Sequence, residues 1–342
     1  ATQQDLPPGA VENVCRQLEE ALFLDSPHFQ AFMKEVEEEY ASSPLRTASC
    51  AGSVYPVNVA ELTRTLQAMI DHAPLSEAAR WDSPGVVRGA IAPHIDYERG
   101  HDGYGQTYRE LCSIPKPKVV VILGTAHRPL AHRYSLTRKD FETPLGVLPN
   151  ATAVTERLAR SGEADLFEGE IAHLYESSIE LQVPFLQHIW GPGISIVPVL
   201  CGSLADEIES GFDPCLTAET ASFTRVLGEI AREQDGGLFL LASADLSHVG
   251  AAFGEERELD GAYLQEVEAV DRAYLSACLA GDAKGSIREL FGHKNRTGIC
   301  SAACLHALLT ALAPCEGRLL GYHQAANREI QNAVTFGAAI YR

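Results

Sequence analysis

Four short apolar runs punctuate the chain, at residues 86–92, 118–124, 194–200 and 236–244. Each has strand length and is bounded by Gly, Pro or polar residues. Such runs read as strands buried on both faces of a parallel sheet. Helical spacing fills most of what lies between. The pattern predicts helices over 59–72, 105–111, 153–160, 176–189 (interrupted near Pro184), 223–231 and on through 290. A last apolar helix opens at Cys300, and strands at 319–324 and 333–341 close the sheet. Residues 51–56, 141–146 and 295–299 read as turns and loops. Alternating strand and helix imply an α/β fold built as a three-layer sandwich, with a mixed, largely parallel central sheet.

Residues 1–45 follow a different pattern. Val11, Val14, Leu18, Ala21 and Leu22 recur at helical spacing. After a Ser26-Pro27 cap and first-turn pair, so do Phe29, Phe32, Met33, Val36 and Tyr40. This predicts an N-terminal helical arm over 1–45 ahead of a main domain at 46–342, packed on that domain or docking a partner.

Composition narrows the function classes. A formal net charge of -19 over 342 residues repels phosphate backbones and anionic lipid, which argues against nucleic acid and membrane as partners. No apolar run approaches the ~20 residues of a membrane-spanning helix. The opening ATQQDLPPG lacks a basic region and an apolar core, so no leader is expected and the cytoplasm is the expected location. Nine scattered cysteines without a CxxC pair read as reduced thiols.

The chemistry gathers at the ends of the apolar runs. The first leads to His94 and Asp96, the second to His127, and the fourth to Asp245 and His248. Ligand sites in open α/β sheets lie at the carboxyl edge of the strands, where such loops converge. Two imidazoles hold a transition metal weakly, so an anionic third ligand is expected. Asp96, Asp102, Glu176 and Asp245 are carboxylate candidates, and Cys300, at a predicted helix start where the dipole favours a thiolate, is the thiol candidate. Spacing alone leaves that choice open. Asp245 and His248 form a candidate proton-handling pair, with a helix N-cap by Asp245 or Ser247 as the alternative. Asp96, Tyr97, Glu176 and Ser177 are expected to contact substrate or support the ligands; for Glu176 and Glu180 the alternative is simple complementarity to a helix dipole. Neither a Walker A loop nor a Rossmann fingerprint is present, and Ser243 lies outside a GxSxG elbow.

Taken together, AGSVYP (51–56), IAPHIDY (91–97), ILGTAHRP (122–129), ETPLG (142–146), ESSIELQVPFLQ (176–187), IVPVL (196–200), SADLSH (243–248) and TGIC (297–300) resemble the Memo family, whose bacterial form is called AmmeMemoRadiSam system protein B. The resemblance covers nearly all of 50–342, and the arm looks like the tail of a small helical domain found in longer bacterial members. It implies a fold like that of class III extradiol dioxygenases. It also implies a metal site on His94, His127 and Cys300, with Asp245 and His248 as catalytic residues. The implied activity is that of a metal-dependent oxidoreductase acting on a small organic substrate with O2. Fe(II) is the first cofactor expected, with Cu or Zn as alternatives. Other readings are a non-catalytic module binding metal and protein partners, including a radical-enzyme system, and a zinc-dependent hydrolase. Three positions depart from the family: Ser177 stands where a relay histidine is common, Val54 replaces a Trp, and Arg128 replaces a second His. His173 is the nearby candidate to substitute for the relay histidine.

Overall fold

The computed structural model describes residues 9–76, 85–213, 217–234 and 236–342. Residues 1–8, on which the leader reading rests, and Cys215 lie outside them. Contacts divide the chain into two units, Ala1–Pro44 and Leu45–Arg342. In the first, α1 (Ala10–Glu20) buries no side chain. In α2 (Pro27–Ser42), the Ser26 hydroxyl accepts from the Phe29 N–H at 3.3 Å, with Pro27 in the first turn.

The second unit runs β1 (Leu45–Arg46), α3 (Val59–His72), β2 (Gly89–Ala92), α4 (Tyr97–Leu111), β3 (Val119–Thr125), β4 (Tyr134–Leu136), β5 (Asp140–Thr143), β6 (Gly146–Leu148), α5 (Thr152–Ala159), α6 (Ser177–Glu180) and α7 (Val183–Trp190). It continues with β7 (Ser195–Cys201), α8 (Ala205–Ser210), α9 (Ala218–Glu233), β8 (Leu238–Ser243), β9 (Asp245–Gly250), α10 (Gly261–Leu279), α11 (Ala283–His293), α12 (Ala302–Leu312), β10 (Gly317–Asn327) and β11 (Asn332–Tyr341). The main sheet is ordered β10-β11-β2-β8-β3-β7-β4, with β9 also on β11. Its middle, β2-β8-β3-β7, is parallel, and the flanking strands β4, β9, β10 and β11 pair antiparallel.

Alternation along one strand explains the layers. Val119, Val121 and Leu123 of β3 face a core shared with α5, α9, α10, α11 and α12, whereas Val120 and Ile122 face a core shared with α3, α4, α6 and α7. Both faces of the sheet are therefore covered, and the strands are apolar throughout.

Four departures of the structure from the sequence pattern bear on the site and its surroundings. First, α4 starts at Tyr97, well before 105, because Asp96 caps it by accepting from the Arg99 N–H at 3.0 Å. Its glycines mask the helix in sequence, yet they are needed: a Cβ on Gly105 would lie 2.2 Å from the Met69 carbonyl oxygen of α3. Second, the expected loop at 141–146 is the β5–β6 hairpin, joined to β1 in a small separate sheet. Third, residues 245–248 form a strand, so neither Asp245 nor Ser247 caps a helix. Fourth, α12 begins at Ala302 behind Ser301, so Cys300 precedes the helix. Among the described residues, no helix is long and apolar enough to cross a membrane, and the eight described cysteines are free.

Candidate metal centre

Parallel strands β2, β3 and β8 end at one edge, and His94, His127 and Asp245 each follow two residues later. The His94 N–H donates to Asp245 Oδ1 at 2.8 Å, which ties the β2 loop to the β8 loop. The buried His94 ring places Nδ1 3.0 Å from the Ser243 carbonyl. A carbonyl only accepts, so Nδ1 carries the proton, and the neutral tautomer so selected has its lone pair on Nε2. That Nε2 lies 3.7 Å from Cys300 Sγ and 3.6 Å from Asp245 Oδ2.

His127 has the same design with a carboxylate anchor. Glu176 accepts from the His127 backbone N–H at 2.9 Å and holds its Nδ1 at 3.0 Å, while also capping α6 through the Ser178 N–H. Burial acts to raise the Glu176 carboxyl, but the His127 hydrogen bonds and charge, with the Ser178 N–H, hold it down at about 2. The same hydrogen bond raises His127. The two imidazoles meet edge to face, with centroids 5.1 Å apart. Anchoring one ring nitrogen so that the other is free is how metal-binding histidines are oriented.

Cys300 Sγ sits among His94, Ser301 Oγ (3.3 Å) and the Asp245 carbonyl (3.9 Å). Burial and then the Asp245 charge push its thiol well up, against the lowering expected from a helix terminus. The thiol is thus protonated until a cation arrives, and metal binding would release that proton. The donors suit a metal. A tetrahedral centre with metal–nitrogen about 2.1 Å and metal–sulfur about 2.3 Å separates those ligands by roughly 3.6 Å, close to the His94–Cys300 spacing of 3.7 Å. Among the described residues, however, no three His, Cys, Asp or Glu side chains stand together as a complete metal cluster. One donor pair is at ligand spacing, and the His127 ring stands alongside.

His248 donates Nδ1–H to the Leu246 carbonyl at 3.1 Å and packs edge to face on Phe253 at 5.1 Å. Burial lowers its pKa; Asp245 opposes this, and His94 and His127 add to it. Its Nε2 is therefore a neutral acceptor.

Other expected residues have different work. Asp96 caps α4 and pairs with Arg99 Nε at 2.5 Å. Tyr97 is buried, with its hydroxyl on the Leu181 carbonyl at 2.6 Å and its ring among Tyr55, Tyr104 and Phe185, so it is a core residue and not a substrate contact. Asp102 pairs with His101 on α4. Ser177 opens α6, half-buried. His173 is buried with Nε2 on the Ser135 carbonyl at 3.2 Å, and burial lowers its pKa to about 3, so its ring stays neutral near pH 7. Glu180 is no helix-dipole acid: it is fully buried, paired with Arg46 and bonded to Ser49, Cys50 and Tyr55.

Sequence reasoning missed Arg46, which also donates to the Glu176 carbonyl at 3.0 Å, and Gln182, which donates to the Pro93 carbonyl (2.8 Å) and Ser243 Oγ (2.7 Å) behind His94. The one available signal was Gln182 itself, a lone polar residue in the apolar stretch LQVPF. A cavity of about 520 Å³ opens beside His127, lined in part by Arg128, Arg133, Ser203, Asp206 and Glu219.

Comparisons with known proteins place the chain in a family. The family described as Memo-like protein matches residues 46–340. A MEMO1 family protein of Methanopyrus kandleri is 25% identical over 307 residues, covering 87% of this chain and 99% of its own. Those of Aquifex aeolicus and Thermus thermophilus are 25% and 26% identical over 339 residues, each covering 98% of this chain and 83% and 94% of their own. A crystal structure of an uncharacterized Escherichia coli K12 protein aligns with a TM-score of 0.41 at 16% identity, over 75% of this chain and 99% of its own. With the match spanning the whole sandwich and both histidine loops, the chain belongs to the Memo family.

Proposed function

We propose that this Memo family member is a metal-dependent, dioxygenase-like oxidoreductase that holds non-haem iron on His94, His127 and Cys300 and acts on a small organic substrate with O2. The observation that carries the reading is the matched anchoring of two adjacent imidazoles, Nδ1 on the Ser243 carbonyl and Nδ1 on Glu176, with Cys300 Sγ 3.7 Å from the free His94 nitrogen. Bound iron(II) would supply open coordination positions for O2 and substrate. The protein's own part is orientation and proton handling. Asp245 holds the His94 loop through its backbone N–H. His248, with Nδ1–H on the Leu246 carbonyl, takes a substrate hydroxyl proton at Nε2. The cavity beside His127 is the approach for substrate.

A nitrogen–sulfur spacing that suits a tetrahedral centre suits zinc as well, so zinc-dependent hydrolysis is the second reading. Anaerobic purification with metal analysis, followed by O2 uptake against catechols and thiols, separates the two. Stoichiometric iron with O2 uptake is expected. Zinc alone, with no O2 uptake from any substrate, overturns the first reading.

A further inference from the structure

Behind the candidate site lies a fully buried carboxylate that the proposed chemistry does not use. Asp271 of α10 accepts three hydroxyls: Ser247 on Oδ1 at 2.6 Å, and Thr335 (2.6 Å) and Tyr322 (2.8 Å) on Oδ2. Burial raises its carboxyl to about 6 while the three hydroxyls pull the other way, so near neutral pH it is an anion that only accepts. Thr335 Oγ1 in turn accepts the Ser247 backbone N–H at 2.8 Å.

These bonds converge on an irregularity in the sheet. In the β9–β11 ladder, His248 is opposite Val334 and Asp245 is opposite Phe336. Two residues, Leu246 and Ser247, therefore stand against Thr335 alone, which is a β-bulge with the extra residue on β9. In a regular strand, residues three apart point to opposite faces. The bulge changes the phase, so Asp245 reaches the His94 ring and His248 lies within the electrostatic reach of Asp245, His94 and His127. At the bulge, the Ser247 backbone N–H donates to Thr335 Oγ1 and its hydroxyl donates to Asp271 Oδ1.

We propose that Asp271 is a positioning residue: acting through Ser247 and Thr335, it clamps the β9 bulge that turns Asp245 and His248 together onto the candidate site. The proposal rests on the proposed function only for the role given to His248.

The test uses the metal-free full chain and the assigned His248 ring resonance, reading its nuclear Overhauser contact with Phe253 and its titration midpoint. Thr335→Val keeps the shape and removes the hydroxyl, Asp271→Asn removes the charge, and Thr335→Ser restores the hydroxyl. In Thr335→Val and Asp271→Asn, the Phe253 contact should weaken and the midpoint should rise towards that of a solvated imidazole. In Thr335→Ser both should return to the native values. Ser247→Ala, which removes a single hydroxyl, gives the same reading if Asp271→Asn does not fold. A folded Thr335→Val or Ser247→Ala protein with lowered Tm but a native His248 contact and midpoint overturns the proposal, since the network would then only hold the fold. Metal content of the native protein decides the iron reading separately, so failure of either leaves the other standing.

Discussion

At the scale of single residues, the site is a set of donors whose other bonds are already committed. Cys300→Ser should lose most of the metal affinity, because a serine hydroxyl stays protonated and neutral near pH 7, whereas Cys300→Asp should recover part of it as a carboxylate. Iron content after anaerobic reconstitution reads both, and full binding by Cys300→Ser would falsify the thiolate assignment. His248→Ala should retain metal while turnover falls by ~10²–10⁴-fold, the usual contribution of a positioned proton acceptor. Loss of metal in that variant would make His248 a ligand. The His127–Glu176 pair predicts a pH signature in metal-free protein. Glu176 is held below its ordinary 4.5, so its contribution is present above that value and fades as pH falls towards about 2. His127 is raised above 6.5, so its contribution is complete below that value and fades as pH rises through its folded pKa. Native protein should therefore exceed Glu176→Gln in Tm most between about pH 4.5 and 6.5, with the gap narrowing on both sides. A gap that does not vary with pH would show that the pair contributes packing alone.

At the scale of elements, glycines separate two kinds of helix position. A Cβ at Gly105 would lie 2.2 Å from the Met69 carbonyl oxygen and 2.8 Å from Ala73 Cβ, so α3 and α4 touch there through their backbones. Gly105→Ala should lower stability, since overpacking costs about 1–3 kcal/mol and outweighs the helix-propensity gain of up to ~1 kcal/mol. Gly292 in α11 has nothing within 4 Å of its added Cβ. Gly292→Ala should raise stability by a few tenths to ~1 kcal/mol. Thermal unfolding of the two variants checks both signs, and a stabilising Gly105→Ala would mean the helices can part without cost. Elements also show where pattern reading stops. Helix α3 was legible over its full length, 59–72, from helical spacing alone. The start of α4 was not, because Gly100, Gly103 and Gly105 suppress helix propensity locally, and the packing that accommodates them is tertiary for two of them, with β11 against Gly103 and α3 against Gly105.

At the scale of the whole molecule, the unit Leu45–Arg342 holds both cores of the sandwich and every candidate ligand. Deleting residues 1–44 should leave metal stoichiometry unchanged in a folded product. A folded truncation without metal would assign the arm a part in the site. Within that larger unit, the sequence by itself determined the four parallel buried strands and that His94, His127 and Asp245 follow three of them, because apolar runs and turn residues act locally along the chain. It also placed Cys300 in contention, without choosing between a thiol and four carboxylates on spacing. Tertiary structure decided what each of those carboxylates does: Asp96 caps its own helix, Asp102 pairs with His101, Glu176 anchors His127, and Asp245 holds the His94 loop. It brought Cys300 Sγ to the free nitrogen of His94, and it turned Asp245 and His248 together through a bulge bonded to α10 and β11. For Glu176, Asp245, Cys300 and the bulge, these partners lie tens to hundreds of residues apart. Burial and hydrogen bonding at that range depend on how the layers stack, and the local pattern of apolar and polar residues carries no record of it.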